Sequence, residues 1–599
     1  MQSLFTDFSN VTKEQWKQKA EQDLKGRPLD TLNWKLDEGF TLEAYYAAGE
    51  KELSAPVAAH GAGKITGGEP RQWDNLQVIQ VKEEEKANKQ ALEALNGGAT
   101  GILFDLSVSR DEVPNLKILL AEIELPYCTI AFKGCLQAPG LFDAFTSYAK
   151  NRGFSPEQLN GFILCDLVGQ VIKSGIIDHG GYSKWKQTFK RSLEYPNFST
   201  LVLDIAPFHN AGANAVQELA LALSLAATYA DDLTEEGNSA EEVYSKLSVY
   251  TAVGNRYFVE MAKLQSLRYL LAMQASAYGL ANFNPATFNI HTTSSRREVS
   301  VLDQNTNLLR HTTQTMSAVL GGCNSVAIEP FSKEVSGSLG RRMARNISTI
   351  LQEEAYFGKV VNPVDGTYYL QQLQQELVEK AWNKFINWEE AGGFRQLAEN
   401  GKLVEEIVSQ RVETENRINT RKEKIVGATA YANLQDEVKA KLSQEGKSKR
   451  SLSTRRKAAA FEYARQSARM WEEKNNQNLK ALLLQFGDPT MYRARAAFAA
   501  DFLRAGGWQT AESKPTEEPE EFSLEGFQLV VLCAADEDYN EQAAALIEDL
   551  RENGYEGPIY LAGTKSTLDE QVAEAEPDGF INLKSDAPAV YEELLNRVK

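Results

Sequence analysis

The chain has 599 residues, 43% of them hydrophobic, which is enough for more than one domain with a sizeable core and excludes a disordered polypeptide. A formal net charge of −18 opposes binding to nucleic acid or to anionic membranes, so neither is expected as a partner. The five cysteines, Cys128, Cys135, Cys165, Cys323 and Cys533, are scattered without paired metal-ligand spacing and read as reduced, buried side chains with no metal between them. The N-terminus lacks a basic region followed by an apolar core, and no apolar run reaches membrane-spanning length; the longest, residues 219–230, reads as a core helix. The expected location is the cytoplasm.

The first predicted element is a helix in which Trp16, Ala20 and Leu24 share one face, stopped by Gly26 with Pro28 beyond. From about residue 75 to 385, short apolar strands at 101–104, 128–132, 161–164, 201–204 and 325–328 recur with helical stretches between them. This regular alternation predicts a TIM-type (β/α)8 barrel, whose active residues lie on the loops that follow the strands. Residues 289–297 and 321–325 are polar or glycine-rich and are expected to be such loops, forming an anion or cofactor rim.

A charged helical connector is expected over 396–475, and within it residues 447–469 hold eight Lys or Arg, including Arg455-Arg456-Lys457. This run reads as a solvated face, or alternatively as a surface that docks on an acidic partner; with few interleaved aromatics it does not resemble a nucleic-acid site. Beyond it, apolar strands at 482–486, 529–533, 559–563 and 579–583 alternate with helices, among them one from Tyr492 through Ala496, Ala499, Phe502 and Leu503 to Gly506-Gly507, and another at about 541–553. The pattern predicts a parallel, doubly wound, flavodoxin-like sheet with ligands at the carboxyl ends of its strands, so the turn at 487–493 is where a cofactor motif belongs. The expected domains are 1–70, an arm with an interface helix; 71–395, the barrel; 396–475, the linker; and 476–599, the flavodoxin-like domain.

Several segments resemble one family. Leu302-Asp303-Gln304-Asn305-Thr306-Asn307-Leu308-Leu309-Arg310, Ala318-Val319-Leu320-Gly321-Gly322, Ala344-Arg345-Asn346, Leu351-Gln352-Glu353-Glu354, Asn362-Pro363-Val364-Asp365-Gly366-Thr367-Tyr368-Tyr369 and Glu389-Glu390-Ala391-Gly392-Gly393 are similar to motifs of the methylmalonyl-CoA mutase family. The spacing Trp16-x-x-x-Ala20-x-x-x-Leu24-x-Gly26 also matches that family's opening arm, which reaches across to a second subunit. Packing of this helix on its own domain is the alternative.

Where the family's catalytic members place chemistry, the chain departs. The resemblance makes the C-terminal domain a cobalamin-binding one, in which Asp-x-His-x-x-Gly supplies an imidazole as lower cobalt ligand and an aspartate that fixes its tautomer. Here the turn reads Asp488-Pro489-Thr490-Met491-Tyr492-Arg493-Ala494, and no histidine follows His311. Met491 or Tyr492 falls near the required position, but a thioether is a weak ligand and a phenol would have to ionise. The serine-bearing turn of the family corresponds to Cys533-Ala534-Ala535-Asp536-Glu537-Asp538-Tyr539, and its glycine pair to Ala562-Gly563.

In the barrel, Asn324 stands for the family's glutamine, Glu354 is retained, and His209 lies two residues too close to the following glycine, so that Pro207 takes the catalytic histidine's place. His209 is then either a structural histidine at a strand end or the displaced equivalent. The family's Tyr-x-x-Pro-Pro is replaced by residues 176–182, and its Thr-Arg-Gly-x-Tyr-Pro has no counterpart in residues 62–68.

His209, Asn324 and Glu354 are thus vestigial candidates, Asp488, Met491 and Tyr492 form a degenerate cofactor turn, and no catalytic residue, cofactor or metal is expected on this chain. Losses in both domains are similar to the small, noncatalytic subunits of the family. The implied partner is a large subunit that holds adenosylcobalamin and interconverts (R)-methylmalonyl-CoA and succinyl-CoA in a pseudo-twofold heterodimer. The alternative is a divergent acyl-CoA mutase active in its own right with a non-histidine cobalt environment. A chaperone for cofactor loading is disfavoured by the lack of a Gly-x-x-x-x-Gly-Lys-Ser/Thr loop.

Overall fold

The computed structural model describes residues 11–47, 71–108, 112–134, 138–174, 179–332, 337–436, 452–513 and 524–598. Residues 1–8, 62–68 and 176–178, Cys135, and Lys447, Lys449 and Arg450 of the basic run lie outside the described residues.

Eight parallel strands form the barrel: β1 (Asp74–Gln80), β2 (Gly101–Asp105), β3 (Thr129–Lys133), β4 (Gly161–Leu164), β5 (Phe198–Ser199 continuing as Leu201–Asp204), β6 (Leu247–Val253), β7 (Asn289–Ser294) and β8 (Ser325–Ala327). Each pairs with its neighbours in chain order, and β8 pairs back to β1 through Ser325 and Asp74. The ladder closes at β5. Its first half pairs with β4 (Gly161 with Phe198) and its second with β6 (Leu201 with Leu247). Closure leaves no edge strand to protect.

Inward-facing side chains fill the barrel axis. Leu76, Leu103, Phe162, Leu164, Val202 and Tyr250 form one buried cluster there, and the Phe162 ring stacks on His291 of β7 at 3.9 Å. Outward-facing residues pack under the surrounding helices in two larger clusters.

Two expected rim loops need correction. Residues 289–294 are strand β7, not a loop: Thr292 and Thr293 donate their hydroxyls to Ser325 O and Ala327 O (both 2.9 Å), so a polar sequence sits in the barrel wall with its donors satisfied. The glycine-rich stretch 321–325 leads into β8 and stands at the amino end of the barrel, opposite the rim.

The N-terminal helix Lys13–Asp23 starts with a capping box between Thr12 and Gln15, and none of its residues is buried. It is followed by an antiparallel ribbon, Trp34–Lys35 with Thr41–Leu42. Trp16 stacks on Tyr45 at 4.9 Å and Lys13 pairs with Glu43 at 2.9 Å.

The C-terminal sheet comprises β9 (Lys480–Gln485), β10 (Gln509–Glu512), β11 (Leu529–Cys533), β12 (Ile559–Leu561) and β13 (Gly579–Phe580), in the order β10-β9-β11-β12-β13 and parallel throughout. That is the flavodoxin-like doubly wound arrangement, with apolar clusters on both faces. The helix expected at 541–553 begins earlier, at Asp536, because a π turn over Tyr539–Ala543 interrupts the helical period.

The connector is helical only in part. Helices Gly393–Glu399 and Lys402–Asn419 are followed by irregular backbone to 436, and residues 452–457 run without helix into the helix Ala459–Asn475. Ile418, Phe461, Ala464 and Ala468 belong to the buried cluster under the C-terminal sheet.

Candidate functional site

In a (β/α)8 barrel the carboxyl ends of the strands form the working face. Here a buried charge cluster occupies it. After β5 the chain turns through the helix Ala206–Ala211, which Gly212 ends at a φ of 116°, and this places His209 over the strand ends. Asn214 caps the next helix, Ala215–Glu235, so that Glu218 lies in its first turn; Glu260 and Lys263 share a face of the helix Tyr257–Ala277.

His209 Nδ1 bonds Glu218 Oε1 and its Nε2 bonds Ser295 Oγ, both at 2.8 Å. Lys263 Nζ then bridges Glu218 Oε2 at 2.8 Å and Glu260 Oε2 at 2.6 Å and donates to Ala252 O at 3.0 Å. The side chains of Lys263, Glu218 and Glu260 are only 2%, 4% and 7% exposed, so each charge depends on the others for solvation. Burial pushes the Glu218 carboxyl up, yet the Lys263 ammonium and His209 together hold it below its ordinary range. Burial likewise lowers Lys263, and the two carboxylates more than reverse this. A Cβ at Gly254 would stand 2.9 Å from Glu260 Oε1 and 3.2 Å from His209 Cε1, which shows how closely backbone covers the cluster. Through its two ring nitrogens His209 links the helix that follows β5 to the segment that follows β7.

The other two barrel candidates stand elsewhere. Asn324 precedes β8 at the amino end, where its Oδ1 accepts from Ile290 N (2.9 Å) and Arg268 Nη2 (2.6 Å). Glu354 caps the carboxyl end of the helix Ser338–Glu353 on the same side, with an exposed side chain. His209, Asn324 and Glu354 therefore do not converge.

The basic triplet corrects the solvated-face reading. Arg455 pairs with Glu415 (3.0 Å), Arg456 with Glu462 (2.7 Å), and Lys457 with Glu298 (2.9 Å) and Glu423 (3.2 Å). The fold brings four carboxylates from the barrel, connector and C-terminal helices onto three consecutive cations.

The second location for a site is the crevice where the C-terminal sheet reverses strand order, between the turns after β9 and β11. Asp488 caps the helix Pro489–Ala505, accepting from Thr490 N (3.4 Å) and Met491 N (3.3 Å), while its own N donates to Asp538 Oδ2 (2.8 Å). Asp538 thus joins the two turns across the crevice. Gly487 is required beneath it, since its φ is 77° and a Cβ would come within 2.0 Å of that carboxylate. Arg495 pairs with Asp536 at 2.6 Å and lies over the Tyr539 ring.

Tyr539 is wholly buried. Its OH donates toward Leu532 O (2.8 Å) and Ala562 O (3.1 Å) and accepts from Ala534 N (3.1 Å), and its ring meets Phe486 edge-on. Tyr492 is buried and Met491 38% exposed. No imidazole stands in the turn that the resemblance assigns to the lower cobalt ligand, and a phenol fixed by three backbone groups fills the space between the ends of β11 and β12.

Sequence reasoning missed Glu218, Glu260, Lys263, Arg495 and the buried position of Tyr539 between the ends of β11 and β12. The available signal was Glu218 and Lys263 each set within a long apolar helix, where a buried charge demands a partner. The four cysteines among the described residues are buried and free, and burial pushes Cys128 and Cys323 up to about 11. Among the described residues, no group of three or more His, Cys, Asp or Glu is placed to hold a metal, and no helix is long and apolar enough to cross a membrane.

The family model for methylmalonyl-CoA mutase matches residues 105–500, more than half of the chain. The chain belongs to the methylmalonyl-CoA mutase family. Within that family it is 30% identical to the methylmalonyl-CoA mutase small subunit of Porphyromonas gingivalis, over 92% of this chain and 92% of the relative. The small subunit from Streptomyces virginiae is 26% identical, covering 100% and 98%, and that from Propionibacterium freudenreichii subsp. shermanii 24% identical, covering 96% and 92%. Methylmalonyl-CoA mutase family membership thus extends over both the barrel and the C-terminal sheet.

Proposed function

We propose that this chain is the small, noncatalytic subunit of an adenosylcobalamin-dependent methylmalonyl-CoA mutase. In this reading a separate large subunit holds the cofactor and interconverts (R)-methylmalonyl-CoA and succinyl-CoA, and this chain supports it. The observation that carries the reading is the switch-point crevice, joined by Asp538 and filled by Tyr539, with Asp488, Met491 and Tyr492 where the imidazole turn would be. Radical chemistry needs a cofactor held against an oriented substrate in a site closed to water. The turn at Asp488 offers no imidazole to hold such a cofactor.

The N-terminal helix is assigned as an interface element. Its Trp16, Ala20 and Leu24 face is only partly covered by its own chain, and Val11, Leu32 and Trp34 nearby in sequence are 67%, 43% and 47% exposed. The test is co-expression with a large subunit from the same genome and affinity capture through a tag on this chain. A stoichiometric heterodimer with mutase activity is expected, and this chain alone has none. Turnover by the purified chain alone would instead establish the divergent mutase.

A further inference from the structure

The basic triplet plays no part in the proposed function, yet it lies on the barrel's working face. Residues 452–457 cross that face without forming a helix or a strand. Leu452 N donates to Ile172 O (3.2 Å), Arg455 N to Asn210 O (3.0 Å) and Lys457 N to Arg297 O (2.9 Å), while Arg297 Nη1 donates back to Arg455 O (3.0 Å). Ile172, Asn210 and Arg297 stand in the segments that follow β4, β5 and β7, so the crossing spans three of the eight loops at the carboxyl end.

The side chains grip different bodies. Arg455 holds Glu415 of the helix Lys402–Asn419, and Arg456 holds Glu462 in the first turn of the helix Ala459–Asn475. Lys457 sits between Glu298, just beyond β7, and Glu423. Glu462, fully buried, also accepts from Ser300 Oγ (3.1 Å) and Val301 N (3.0 Å), which ties the far end of the crossing to the barrel loop. Of the six residues only Leu452 is buried, and Ser453 and Thr454 are exposed.

We infer that residues 452–457 are a strap that closes the barrel mouth over the His209 cluster and opens as one unit, held by ion pairs and backbone bonds in place of apolar packing. Each of those bonds exchanges for water when the strap lifts; the Arg455–Glu415 pair is partly exposed and contributes little, whereas the pairs Lys457–Glu298 and Arg456–Glu462 are largely buried and set most of the opening cost. Apolar burial, the term that dominates core stability, is nearly absent from the segment. Lifting it therefore requires less than unfolding the barrel beneath, which makes it a local opening unit. Because its bonds reach Ile172, Asn210 and Arg297 together, loss of one anchor loosens all three contacts. The strap, and not the barrel wall, then decides whether solvent or a ligand reaches Glu298, Ser295 and His209.

Hydrogen exchange on the full chain, read by mass spectrometry, tests this. The amides of Leu452, Arg455 and Lys457, each donated to a different loop, are expected to share one opening rate, slower than free amides and faster than β2 or β11. Lys457→Met removes the central anchor at similar length. It is expected to raise exchange at Leu452 and Arg455 as well as at position 457 by about a hundredfold or more, on the scale of a broken buried charge pair, and to leave β2 and β11 unchanged. Unrelated rates at the three wild-type amides overturn the strap, as does a rise that spreads equally through the barrel strands. Should Lys457→Met fail to fold, Arg455→Gln at the more exposed anchor serves in its place: a coordinated rise of roughly threefold supports the strap, and no change at Leu452 and Lys457 overturns it.

Discussion

Replacing Lys263 with Met removes one cation and strands two carboxylates. The methionine fills nearly the same space, so the change isolates charge from packing. Glu218 keeps His209 and a hydroxyl from Thr251 at 3.3 Å, but Glu260 loses the partner held at 2.6 Å. Breaking a buried pair from one side costs about 3–5 kcal/mol because the remaining charge has neither water nor a counter-ion.

The pH dependence has a definite sign. In the wild type the Glu218 carboxyl lies below its ordinary value of 4.5, so it contributes stability that is present above pH 4.5 and lost as pH falls through the folded value. Without Lys263, burial is no longer outweighed, the folded value rises above 4.5, and ionisation with rising pH destabilises the variant. The gap between the two proteins is expected to be largest near pH 7 and to narrow toward pH 4.5. Urea unfolding followed by near-ultraviolet circular dichroism at several pH values measures it. A gap below about 1 kcal/mol at pH 7, or one independent of pH, would refute the claim that Lys263 holds the cluster together.

Burial pushes the Asp166 carboxyl up to about 6 despite bonds from Gly169 N (2.7 Å), Asp204 N (3.0 Å) and Tyr229 OH (2.8 Å). Its folded value exceeds the ordinary 3.8, so about 3 kcal/mol of stability, fully present only below pH 3.8, is lost as pH rises through 6, and Asp166→Asn is expected to abolish that step in the stability profile; parallel profiles for the two proteins count against it. Tyr539→Phe leaves Ala534 N without its acceptor at a cost of about 1–3 kcal/mol, and Tyr539→Ala adds a cavity for about 3–5 kcal/mol, both read in the unfolding of the C-terminal domain. Equal effects of the two substitutions contradict the plug. Trp16→Asp is expected to cost the chain's own stability about 0.5–1.5 kcal/mol through the lost stack on Tyr45 and to abolish capture of the large subunit; retained capture removes the N-terminal helix from the interface.

The barrel was legible wherever a strand is an uninterrupted apolar run, as in Gly101–Asp105 or Gly161–Leu164. β6 was not singled out because the helix Ala240–Lys246 runs straight into it with no glycine or proline between, and β7 was read as a loop because its threonines satisfy their hydroxyls on the neighbouring strand. β10, Gln-Thr-Ala-Glu, carries too little apolar character to stand out as an edge strand. The turn at Asp488, which caps the helix Pro489–Ala505, could be located because its residues are adjacent in sequence. The His209 cluster could not: Glu218 and Lys263 lie 45 residues apart, and only the packing of two helices brings them together. For the same reason the triplet at 455–457 looked like a solvated charge run until the carboxylates that neutralise it were located.

The central claim, that this chain assists a cobalamin enzyme without holding the cofactor, is tested most directly by incubating the purified chain with excess hydroxocobalamin, removing free ligand by gel filtration and recording the visible spectrum. The account predicts no retained corrinoid absorbance from this chain alone and one equivalent per heterodimer once the large subunit is added. Stoichiometric corrinoid on the isolated chain, accompanied by mutase turnover, would contradict it.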